Sequence, residues 1–111
     1  MSQQIEPTTG QLAHTVYFTL TDPSPEGIEA LKNACQHYLS EHDGTEYFAV
    51  GTLVPDLTRP VNDQAYHVSL HVHFQDRASH DQYQTDPRHL QFIEENKANW
   101  SQVRVFDSDL A

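Results

Sequence analysis

Apolar and polar residues alternate along residues 13–20, so that His14, Val16, Phe18 and Leu20 share one side of a strand and Ala13, Thr15, Tyr17 and Thr19 the other. Ser24 before Pro25 reads as a helix N-cap followed by proline at the first helical position. Ile28, Leu31, Cys35, Tyr38 and Leu39 then recur at helical spacing, which predicts a helix over about 25–40. A mostly apolar run at 47–54 predicts a second strand, and the proline-containing segment 55–64 a loop. Residues 66–74 alternate strictly: Tyr66, Val68, Leu70, Val72 and Phe74 face one way, His67, Ser69, His71 and His73 the other. Asp76 is placed to cap a second helix through Ala78 and Tyr83, which Asp86-Pro87 interrupts or restarts. His89, Phe92, Ile93 and Trp100 form its later stripe, and 103–106 a short last strand.

Strand, helix, strand, strand, helix, strand is the order of a ferredoxin-like α+β fold, in which both helices cover one face of a four-stranded antiparallel sheet. The expected domain spans 12–107, behind a flexible polar arm at 1–11. In that arrangement the histidine-bearing sheet face has no cover. Three imidazoles on such a face suit an enclosed place, and the choice lies between a metal site, a pocket and an interface.

Composition narrows the partners. Sixteen acidic and six basic residues give a charge of −10, which repels phosphate backbones and anionic lipid surfaces, so neither nucleic acid nor membrane is an expected partner. A single cysteine, Cys35, excludes an internal disulfide and a thiolate-rich zinc site and is expected in the core. The polar N-terminus and the lack of a long apolar run point to the cytoplasm. No glycine-rich phosphate loop or nucleophile turn is present, and no cofactor is expected.

Two histidine groups carry candidate chemistry. His71 and His73 lie two apart, roughly 6.6 Å at ~3.3 Å per residue, and can grip one metal ion if a carboxylate or a symmetry-related chain completes the set; His67, roughly 13 Å from His71, cannot join them. Otherwise these are neutral imidazoles hydrogen-bonding to Thr15, Tyr17, Thr19 and one another within an interface. His14, the one polar member of an apolar inward row, needs a buried partner, which Tyr83 and His89 can supply. A near-neutral histidine held by a tyrosine hydroxyl can take a proton alpha to a carbonyl; a satisfied polar cluster at the mouth of the core is the plainer reading.

His14 in the first strand, Gly51 in the second, VHFQDRASHDQYQTDPRHLQF at 72–92 and VRVFD at 103–107 together resemble the stress-responsive A/B barrel (Dabb) family. The resemblance implies a homodimer whose sheets meet face to face as an α+β barrel, covering His67, His71 and His73. Some members of that family have no known chemistry. Another is a plant polyketide cyclase that performs an intramolecular aldol condensation in a cavity between helices and sheet, through a tyrosine and a histidine matched by Tyr83 and His89, with a first-strand histidine matched by His14. The third-strand histidine of that cyclase falls at Val68, and the first histidine of its His-Pro-x-His turn at Asp86. The expectation is a dimeric stress-response module with an apolar small-molecule ligand, and the alternative is His/Tyr acid–base chemistry on a carbonyl substrate.

Overall fold

A computed structural model describes residues 7–111. Strands β1 (Leu12–Leu20), β2 (Thr45–Thr52), β3 (Val68–Phe74) and β4 (Trp100–Asp109) form one sheet in the order β2-β3-β1-β4, with every neighbouring pair antiparallel. Helices α1 (Pro25–Leu39), α2 (Arg77–Thr85) and α3 (Pro87–Asn96) lie on one face, giving the expected βαββαβ ferredoxin-like fold with its second helix broken in two. Among the described residues no helix is long and apolar enough to cross a membrane. Residues 1–6 of the expected arm lie outside the described part; within 8–11, the Gln11 carbonyl accepts from the Leu110 amide at 2.9 Å and the Thr8 hydroxyl donates to the Ala111 carbonyl at 2.9 Å.

Local chemistry sets the helix starts. The Ser24 hydroxyl accepts the Gly27 amide at 3.1 Å, and the Asp76 carboxylate accepts the Ser79 amide at 2.8 Å. Asp86 serves two helices: its amide donates to the Tyr83 carbonyl at 3.2 Å and its carboxylate accepts the Arg88 amide at 2.8 Å. Pro87 has no amide to donate, so α2 cannot run through it and α3 starts there.

Three sequence-based boundaries move. β3 begins at Val68, leaving Tyr66 and His67 before it; the His67 amide donates to the Phe18 carbonyl at 2.8 Å and its Nδ1 accepts the Leu20 amide at 2.9 Å. β2 begins and ends two residues earlier than its apolar run suggested. β4 is ten residues long and starts at Trp100, which therefore belongs to the sheet and not to the helical stripe. It packs its ring on Phe18 and Phe92, at centroid separations of 5.0 and 5.6 Å. An edge strand is templated by its one neighbour, here the nine residues of β1, and can form without an alternating pattern of its own.

The core is the inward row of β1 and β3 closed by α1 and by Tyr83 and Phe92. Cys35 is completely buried there, and burial pushes its thiol up to about 12, which makes it inert at neutral pH. The principal helix contacts with the sheet fall on β2 and β3. The inward residues of β4, Val103 and Val105, consequently remain 40% and 50% exposed. This unequal cover leaves a hollow between sheet and helices.

Candidate functional site

The hollow is a cavity of about 390 Å³, within the usual range for small-molecule sites. Its walls are apolar, with Val16, Phe18, Val103 and Val105 from the sheet and Phe92 and Ile93 from α3. Antiparallel register sets His14 opposite Asp107, and α2 brings His80 and Tyr83 down onto the same end. His89, near the start of α3, lines the cavity as well.

At this polar end His14 Nδ1 lies 2.6 Å from Asp107 Oδ1. A carboxylate only accepts, so Nδ1 carries the proton and Nε2 keeps the lone pair. Burial holds the His14 imidazole below its ordinary value, against the pull of Asp107, with His80 adding to the depression. His89 donates from Nδ1 to the Gln84 carbonyl at 3.1 Å, and its value too is depressed, chiefly by burial. Both rings are therefore neutral bases at neutral pH. The Tyr83 ring lies 4.6 Å from that of His89 and 5.9 Å from that of His14. Its hydroxyl is buried without a hydrogen-bond partner among the described residues, and burial moves its pKa well above the ordinary phenol value.

The three residues singled out from sequence thus come together, with one difference in wiring. His14 is held by Asp107, and the tyrosine hydroxyl grips neither histidine, because the register of β4 places a carboxylate nearer than α2 places the phenol. Asp107 and His80 escaped the sequence reading. Extending the alternation Val103, Val105 by one step reaches Asp107, and His80 lies one helical turn before Tyr83.

On the outward sheet face His71 donates to or accepts from Ser69 Oγ at 3.1 Å, and His73 stacks against Tyr47 at 5.1 Å. Burial, then His73, depresses the His71 pKa. Among the described residues no third histidine, cysteine or carboxylate gathers with this pair; the one group of three is His14, His80 and Asp107. The interface hydrogen bonds expected of Thr15 and Thr19 go instead to backbone carbonyls of Phe106 and Ala65, at 3.0 and 2.6 Å. A second hollow of about 440 Å³ on this face is lined by Tyr17, Tyr66, Phe106 and the Asp63–Arg104 ion pair, whose N–O separation is 2.7 Å.

A one-sided helical layer on a four-stranded antiparallel sheet, with a cavity between the two layers, defines a ferredoxin-like α+β protein. The sequence profile of the stress responsive A/B barrel domain matches residues 12–110, and the chain belongs to that family. No curated protein matches it in sequence. A Dabb family protein with a ferredoxin-like fold from Mesorhizobium loti is similar, with 24% identity and a TM-score of 0.74 over 90% of this chain and 96% of that one. A dimeric ferredoxin-like protein of unknown function from Thermobifida fusca has 14% identity and a TM-score of 0.77 over 99% and 100% of the two chains. A hydroxynitrile lyase from Passiflora edulis has 17% identity and a TM-score of 0.73 over 95% and 96%.

Proposed function

We propose that this chain is a homodimeric module that binds an apolar small molecule bearing one acceptor oxygen, of the carbonyl kind, in the cavity between helices and sheet. The observation that carries the reading is Tyr83, which lines the hollow and whose buried hydroxyl has no hydrogen-bond partner among the described residues. A buried polar group left unpaired costs about 1–3 kcal/mol, which a ligand oxygen there would recover. Pairing is supported by the outward sheet face, where Tyr17, Tyr47, Ala49, His71, His73 and Phe106 present apolar or neutral surface interrupted by Arg104, itself neutralised by Asp63. The Thermobifida fusca protein of the same fold is dimeric.

Trp100 lines the cavity and is the sole tryptophan, so its fluorescence reports occupancy directly. Titration with ketones and aldehydes of increasing chain length is expected to give a saturable change, weakened roughly 3–10-fold in Tyr83→Phe as one hydrogen bond is lost. No saturable change across the series, or equal affinity in Tyr83→Phe, would overturn the assignment.

A second reading is favoured by one observation, the short His14–Asp107 pair. A carboxylate that orients a neutral imidazole and stabilises its protonated form is the arrangement of a general base. With Tyr83 holding a carbonyl oxygen, His14 or His89 would move the proton in a lyase or aldol step, as the fold shared with a hydroxynitrile lyase suggests. Turnover of any carbonyl compound that survives both His14→Gln and His89→Ala would dismiss it.

A further inference from the structure

We propose that His14, His80 and Asp107 bind one divalent first-row transition ion, of the zinc or iron(II) class, at the polar end of the cavity. Their ligand atoms lie within 4.8 Å of one another and come from three elements, β1, α2 and β4. Two imidazoles and one carboxylate are the donor set that such ions take with positions left open for a further ligand. Donor atoms around an ion at about 2.1 Å stand roughly 3.0–3.4 Å apart, so closing the set requires an adjustment of the side chains. Asp107, 44% exposed in its side chain, has the freedom to make it.

The wiring around the set argues further than proximity. His80 Nδ1 lies 2.9 Å from Asp81 Oδ1, so it carries the proton and Nε2 keeps its lone pair. Asp81 is itself held by Arg77 Nε at 2.8 Å. A carboxylate that fixes the tautomer and orientation of a histidine from behind is the usual outer support of a metal-ligating imidazole. Among the described residues, the one hydrogen-bond contact of His80 Nε2 is the Gln84 amide, at a long 3.3 Å. His14 has a lone pair to give whichever nitrogen bears its proton, and its ring meets that of His80 edge-on at 5.4 Å. The hydrogen bond to Asp107 alone would satisfy His14; it gives no reason for His80 to converge on the same spot. One carboxylate and two neutral imidazoles leave a doubly charged ion partly uncompensated, and the chain's charge of −10 favours its capture.

An ion held there lies at the end of the cavity where the Tyr83 ring stands 5.9 Å from that of His14, so an oxygen-bearing ligand in the cavity would meet the ion directly. Such a site would act on a carbonyl as a Lewis acid, without oxidation or reduction. Ion binding needs no organic ligand, so it can be measured apart from the carbonyl-binding reading.

The test is titration of untagged, chelator-stripped full-length protein with cobalt(II) and zinc(II) alone, followed by calorimetry and by cobalt visible absorption. One equivalent per chain is expected, lost in His80→Ala and in Asp107→Asn, weakened about 10–100-fold in Asp81→Asn, and retained in the double variant His71→Ala/His73→Ala. Circular dichroism checks that each variant is folded. Substoichiometric binding, affinity unchanged in His80→Ala, or loss in the His71/His73 variant would each overturn the proposal.

Discussion

Tyr83 is the residue on which stability and use pull in opposite directions. Its ring fills the core beside Phe74 and His42, while its hydroxyl sits buried without a partner among the described residues. Tyr83→Phe should therefore leave stability unchanged or raise it by up to about 1 kcal/mol, measured by urea unfolding, while ligand affinity falls. Asp107→Ala removes the group that holds the His14 value up, so NMR titration should find that imidazole depressed further than in the parent chain. His14 was legible as the polar member of an inward apolar row, and Tyr83 and His89 through the resemblance and their place on the helix facing that row. Asp107 and His80 were passed over: spacing can put each on an inward face, but only the β1–β4 register sets Asp107 opposite His14, and only the packing of α2 brings the His80 ring to 5.4 Å from that of His14. Val68 shows the converse: the position matched to the cyclase histidine is fully buried core, and nothing of that chemistry is available there.

Among the elements, the α2–α3 junction rests on one side chain. Asp86→Ala removes the α3 cap and should cost about 1–2 kcal/mol in denaturant unfolding. That position is a histidine in the resemblance, and here capping explains the aspartate. Gly44 precedes β2 at φ +82°, and a Cβ there would run into the Ser79 side chain at the start of α2. Gly44→Ala should consequently cost about 2–3 kcal/mol, combining left-handed strain with overpacking, a loss read from the same unfolding curves. Caps, prolines and inward rows made β1, α1 and the α2–α3 break readable in sequence. β4 was read short because eight of its ten residues, all but Trp100 and Arg104, are exposed, so burial imposes little pattern on it.

For the whole molecule, pH acts through buried imidazoles. The folded values of His14, His71 and His89 are depressed below the ordinary 6.5, so the unfolded chain binds more protons just below that pH. Stability should hold above about pH 6.5 and fall as acid is added through the depressed values, with Tm dropping accordingly in scanning calorimetry. Protonating all eight histidines would also take the charge from −10 toward −2. If two copies pair through the outward sheet face, Ala49→Lys, opposite His71 in register, should yield monomers in sedimentation while leaving the cavity's metal and carbonyl affinities within about twofold. The unequal helical cover over β4 bears on kinetics as well. A chamber flanked by half-exposed Val103 and Val105 is a slot with a permanently open side, and a guest can slide in past the edge strand without waiting for any gate. Observed association rates should then climb linearly with guest concentration, without the plateau that a rate-limiting opening step would impose.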